Sequence, residues 1–471
     1  MGAVTRPASS EDRWLFATLA AITTVTAVVS SLGAPLVPSI AARYDVPLST
    51  AQWVLTSTLV TAAATTPALG RWGSGRLRRP VLLAGLAVVL VGVVLAALPI
   101  TIGTLIAGRT LQGVGLALTP LTLAVARDVW TGPRLASRLS LLSIATVAGA
   151  GLGYPVTGVI AEHWGISGAY WFGTALVTLT LLLAVRFLPR EAQGAPQRVD
   201  VPSVALVGVG MVATLLAVSQ GERWGWTAPG VLGPAAGGVL LLTGWVLRTR
   251  RLTARGEQPL VDLRLATRPG VLGPNGVAFA LAVAMYGLLT LVVLLVRDDG
   301  SAGWGLGLGP AEAGAVLLPY SFMSVAGSRV ALRLARRHGP HLLLPLGSTV
   351  FASAMVLLTL WHDTYPQALL AMAVGGLGSG FTFSSLPTLI VPHVPRAETG
   401  SALAFNQLLR YLGFSVGSAV TVALLEMYGG HVAAFRATAL TMAGLCLVAT
   451  VAVVVVPWLR RTAPAAQPEA L

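Results

Sequence analysis

The stretch Gly103-Thr104-Leu105-Ile106-Ala107-Gly108-Arg109-Thr110-Leu111-Gln112-Gly113-Val114-Gly115 continues without another charge to Ala126. It places a guanidinium inside an apolar run long enough to cross a bilayer. Arginine stays charged at any ordinary pH, and in hydrocarbon it costs several kcal/mol unless it faces a protein interior or a wet cavity. Gln112 follows three residues later on the same helix face, and Gly113 and Gly115 let a neighbouring helix come close. The run reads as a membrane span with a polar inner face. A snorkelling arginine is the structural alternative.

The rest of the chain has the same character. Of its 471 residues, 55% are hydrophobic and 10% charged, and the mean hydropathy is +0.78. A soluble domain carries about a quarter charged residues. Apolar stretches lie at about 14–37, 50–69, 81–98, 103–126, 139–161, 170–188, 201–219, 229–247, 271–296, 312–332, 341–360, 366–391, 401–425 and 435–458. At about 20 residues apiece, fourteen spans take roughly 280 residues and leave no room for a large soluble domain. The first run is longer than a signal-peptide core and is expected to be retained.

All 31 basic residues are arginine, against 17 acidic residues, for a net charge of +14. With these spans, twenty-five arginines fall on one side, and Arg43, Arg223, Arg297 and Arg436 on the other, with Arg109 and Arg410 inside spans. The arginine-rich side is expected to be cytoplasmic, with both termini there, in the inner (plasma) membrane of a bacterium. The arginines sit in short loops beside apolar spans, where they meet lipid headgroups, so nucleic acid is not an expected partner.

The absence of lysine removes a Walker-type phosphate loop and Schiff-base chemistry. Cys446 is the single cysteine, and the six histidines form no helix-face pair with a carboxylate, so no metal and no cofactor is expected. No carboxylate lies near the centre of a span: Asp128, Glu162, Glu312 and Glu426 are all at ends.

Polar joints at about 189–200 and 248–270 divide the chain into residues 1–188, a six-helix bundle, residues 189–270, an inserted helix pair with its linkers, and residues 271–471, a second six-helix bundle. Basic loops after the second and tenth spans, Gly70 to Arg79 and Gly327 to Arg337, occupy corresponding places and hint at duplicated halves. In the thirteenth span Asn406, Gln407 and Arg410 place three polar side chains within about one turn. They line a polar path, or Arg410 snorkels to the near interface. Thr26 in the first span and Trp53 in the second are further cavity candidates, although an isolated hydroxyl more often bonds its own helix. The fifth span carries Gly149, Gly153, Pro155 and Gly158, and this spacing serves either tight helix packing with a kink or a specialised part in transport.

Arg109-Thr110-Leu111-Gln112-Gly113 matches R-x-x-Q-G, and with this layout the chain resembles the fourteen-helix drug:proton antiporter family of the major facilitator superfamily. The resemblance extends over nearly the whole chain. It implies that Arg109, with Gln112 and Gly113, takes part in proton coupling. It further implies that Gly149, Gly153, Pro155 and Gly158 form the antiporter motif of the fifth helix, here with Tyr154 between glycine and proline and Val159 for the last glycine. Gly70, Arg78 and Arg79 fit the cytoplasmic gating loop, while Trp72, Ser74 and Leu77 replace its leucine, aspartate and second glycine.

The expectation is therefore an all-α integral membrane protein that exports an amphipathic small molecule against protons by alternating access, working as a monomer in the bilayer. A facilitator-type importer or uniporter is the alternative, consistent with the lack of an embedded carboxylate. A membrane sensor or integral-membrane enzyme is a remote third.

Overall fold

Prolines decide where several spans stop and start. A computed structural model describes residues 10–462 except 34–35, 47, 52, 99, 191–199, 258 and 302, and among the described residues the regular structure is helical, without a strand. The first span is α1 (Ser10–Ser31), followed by a short α2 (Val37–Tyr44). The second is α3 (Leu48–Ala51) with α4 (Trp53–Trp72), and the third is α5 (Arg78–Ala97). The fourth divides into α6 (Ile102–Leu116) and α7 (Thr119–Val129). There follow α8 (Gly132–Phe187), α9 (Val201–Trp224), α10 (Pro229–Ala254), the short α11 (Leu263–Ala266) and α12 (Pro269–Arg297). The chain ends with α13 (Pro310–Ala315), α14 (Leu318–His338), α15 (Leu343–Leu360), α16 (Tyr365–Ile390), α17 (Thr399–Met427) and α18 (Val432–Thr462).

Three boundaries differ from the expected spans. The fourth breaks after Leu116, because Pro120 has no N–H to donate to the carbonyl four residues back. The tenth breaks after Ala315 for the same reason, with Pro319 the residue lacking the donor. The fifth and sixth expected spans run together in α8, and the chain turns at Gly165, whose φ of 68° and ψ of −175° suit glycine. Among the described residues, ten helices are long and apolar enough to cross a membrane by length and composition. The segments outside that set include α6 with α7, which is interrupted, and α17, which carries Arg410.

Each end of the chain builds its own apolar core. One cluster joins Val29, Leu32, Val93 and Tyr170 from the first helices, and another joins Leu288, Phe351, Met355 and Phe435 from the last. Between them, α9 packs Val207 and Met211 against Ala62 and Ala63 of α4 and Leu408 and Tyr411 of α17. At the arginine-rich end of this pair, Arg248 and Asp200 make an ion pair at 2.7 Å, and that contact holds the Asp200 carboxyl below the usual carboxylate range.

The two groups repeat their close contacts. A Cβ on Gly92 of α5 would lie 2.6 Å from the Gly108 carbonyl oxygen of α6, and one on Gly347 of α15 would lie 3.0 Å from that of Gly378 in α16. In α8, a Cβ on Gly153 would lie 3.2 Å from the Val28 carbonyl oxygen of α1, and in α17 one on Gly413 would lie 2.7 Å from that of Phe279 in α12. The third span therefore meets the fourth as the eleventh meets the twelfth, and the first meets the fifth as the ninth meets the thirteenth.

Candidate functional site

Arg109 is 0% exposed, which excludes snorkelling. Its guanidinium donates from Nη1 to the Val29 carbonyl at 2.7 Å and from Nη2 to that of Ser30 at 2.6 Å. These carbonyls belong to the last turn of α1, whose final carbonyls lack intrahelical donors and form the negative end of the helix dipole. Nε donates to the Val54 carbonyl of α4 at 3.0 Å, and Nη1 also reaches Gln112 Oε1 at 2.7 Å. Gln112 in turn donates to the Gly92 carbonyl of α5 at 3.0 Å. The R-x-x-Q pair thus ties four helices together. Gly113 makes room for it, since a Cβ there would collide with the Thr58 carbonyl of α4.

The fifth-span glycines divide into two kinds. Gly149 lies against Thr24 and Gly153 against Ser31 and Val28, all on α1, whereas a Cβ on Gly158 would meet nothing within 4 Å. Pro155 lies within the helical run of α8, and its side chain is outside the described residues. Thr26 gives its hydroxyl to the Ile22 carbonyl at 2.8 Å and is buried.

At the arginine-rich end, a set of polar contacts joins the two groups. Arg71, just inside α4, makes a two-point ion pair with Glu398 at the start of α17, at 2.9 and 2.8 Å. Arg127 donates to the Val394 carbonyl at 2.7 Å and to that of Pro395 at 3.2 Å. Burial, reinforced by the nearby Arg396 guanidinium, lowers the pKa of Arg127. Arg336 donates to the Ser137 hydroxyl at 3.1 Å. Gly70 permits the approach: its Cβ would lie 2.7 Å from that of Ala404 and 3.2 Å from the Gly400 carbonyl oxygen. Arg78 is buried within the first group, paired with Asp128 and donating to the Gly73 carbonyl at 3.0 Å. Arg79 turns away to the Val185 carbonyl at 2.8 Å.

Behind this closure, between α7, α8, α16 and α17, lies a cavity of about 40 Å³, little more than the roughly 30 Å³ share of one liquid water. Asn406, Gln407 and Arg410 line it, together with Phe383, Leu386 and Leu403. Arg410 donates to Gln407 Oε1 at 2.9 Å and lies over the Phe383 ring, 4.2 Å from its centroid. Asn406 donates to Asn275 Oδ1 of α12 at 2.9 Å. Neither Trp53 nor Thr26 is among the lining residues.

Sequence reasoning missed Arg71, Arg127, Glu398 and Phe383. No spacing pairs residue 71 with residue 398. The one available signal was the isolated carboxylate in Pro395-Arg396-Ala397-Glu398-Thr399, in a loop facing the basic one.

Two groups of helices thus meet around a small, mostly apolar cavity that holds Asn406, Gln407 and Arg410, with polar contacts closing the arginine-rich end. The model of the Major Facilitator Superfamily matches residues 19–308 and 276–470, and the chain belongs to that family, whose members are transporters and not enzymes. It is 28% identical over 415 residues to a triacylglyceride transporter of Mycolicibacterium smegmatis, covering 83% of this chain and 71% of that protein. It is 29% identical over 395 residues to the cephamycin export protein CmcT of Amycolatopsis lactamdurans, covering 81% and 79%. Among solved structures, the proton:xylose symporter XylE aligns with a TM-score of 0.66 at 15% identity, covering 95% of this chain and 96% of that one.

Proposed function

We propose that this transporter exports an amphipathic small molecule in exchange for protons, by rocking its two six-helix groups, residues 1–188 and 271–471, about the cavity that holds Arg410. The observation that carries the reading is the closure of the interface at the arginine-rich end by Arg71 with Glu398 and Arg127 with the 394–399 segment. Arg71 is buried in this pair, and parting the groups returns both charges to water, whose hydration offsets the lost contact, as alternating access requires. The arginine excess supports a cytoplasmic location for that end, and on that reading the conformation described is closed inward. Two relatives named for outward or lipid transport, the cephamycin exporter and the triacylglyceride transporter, support export of amphipathic cargo. Coupling is carried over to Arg109 from its R-x-x-Q-G setting.

The facilitator reading keeps one observation in its favour: among the described residues lining the cavity there is no carboxylate or histidine. Inside-out vesicles with a preformed acid interior separate the two. Adding amphipathic cations, neutral compounds and anions in turn is expected to cause protein-dependent proton release with at least one class. Protein-dependent substrate movement without any proton release would leave the facilitator.

A further inference from the structure

The central cavity carries a cation without a counter-charge. Among the described residues no carboxylate lies within ion-pairing distance of Arg410, and none lines the cavity. Arg410 lies eleven residues after the first residue of α17, which puts it about 16 Å along the helix, near the middle of a hydrocarbon core of about 30 Å. One N–H goes to Gln407, the flat face rests on Phe383, and buried Nε has no partner among the described residues. A guanidinium held by its face leaves its edge free, and that edge matches the two oxygens of a carboxylate.

A second, larger space lies nearer the arginine-rich end, between neighbouring turns of the same helices. It measures about 290 Å³ and is lined by Arg127, Arg396, Trp130 and Leu139, by Thr388 of α16 and by Val391 just after that helix. The lining residues on α16 and α8 follow directly on those of the central cavity, Leu386 before Thr388 and Leu139 before Ser143. No carboxylate lines this space either. The nearby ones are engaged elsewhere, Asp128 with Arg78 and Glu398 with Arg71. Two arginine-bearing, aromatic-walled spaces thus lie in series along the interface between the groups.

We infer that the transported molecule is an amphipathic organic anion, with a carboxylate or equivalent single anionic group seated on Arg410 and an apolar body against Phe383, Leu386 and Leu403. This rests on the transport reading of the same cavity and names its substrate class. Cations of the same shape meet Arg410 with nothing to offset it. The cavity is contracted in this conformation, so binding the anion also widens the interface.

The test uses the full-length protein and a panel of naphthyl and biphenyl carboxylates, each with its methyl ester and its trimethylammonium counterpart. Equilibrium dialysis against protein in nanodiscs is expected to show acids bound at least about tenfold more tightly than their esters, with the cations weakest. Arg410→Gln removes that preference while leaving ester binding in place, which also shows the variant is folded, and Arg410→Lys keeps part of it. Equal binding of acid and ester, preference for the cation, or no binding of any compound overturns the anion site. Parallel uptake into inside-out vesicles separates the two readings. Movement of cations or esters without acids leaves export standing and removes the anion assignment, and acid-selective binding without movement of any compound does the reverse.

Discussion

Arg109 shows how one residue is half legible in a sequence. That a charge inside Gly103 to Ala126 needs an interior followed from composition, and the structure buries it completely. Its partners did not follow, because three are backbone carbonyls, which every residue carries. Two of them lie in the last turn of α1, where helix carbonyls lack intrahelical donors and are left for the guanidinium. From the sequence, Arg109→Ala is expected to stop coupled transport with near-normal expression. With these contacts in view, the substitution orphans buried carbonyls and Gln112 Oε1, and we expect it to cost about 2 kcal/mol or more. The midpoint of thermal unfolding of purified protein should fall clearly, and Arg109→Lys, lacking the fork, should recover little of it. An unchanged midpoint contradicts the structural part of this role.

Among elements, the spans and their order were legible, since a run of about 20 apolar residues has the length of a bilayer's hydrocarbon core when it is helical. Their interruptions were not, because a hydropathy window averages over the single missing N–H at Pro120 or Pro319. The junction at Gly165 was hidden among 53 glycines, only some of which adopt a left-handed φ. The fifth-span motif is open between packing and transport, and the neighbours of its glycines suggest how to separate the two. Gly153→Val should disrupt the α1 contact and destabilise the protein by about 1–3 kcal/mol, whereas Gly158→Ala should leave stability unchanged. Both are read by thermal unfolding, with transport measured alongside. If Gly158→Ala folds normally and transports nothing, the motif acts through something other than packing. The second group makes an equivalent contact through Gly413 and Phe279 without the antiporter pattern.

For the whole molecule, two basic loops hint at duplication, and the contact of Gly92 with Gly108 has a counterpart in that of Gly347 with Gly378. The closure between the groups was invisible, since it depends on residues 327 positions apart. Orientation rests on the arginine distribution, and Cys446 is buried, so introduced cysteines report cleanly. Cysteines replacing the exposed Arg76 and Arg255 should react with an impermeant maleimide only from the cytoplasmic side. Reaction from outside inverts the topology, and with it the direction assigned to the closure.

Transport by the proposed route requires the two groups to part at the arginine-rich end. The most direct measurement places spin labels on the exposed positions Arg76 and Ala397, one on each group, and records their distance distribution by pulsed electron resonance. A short distance should dominate in the protein as described, and Glu398→Gln, which removes the charge that Arg71 holds, should shift population to a longer one. A single distance, unchanged by Glu398→Gln and by transported compound, contradicts the account.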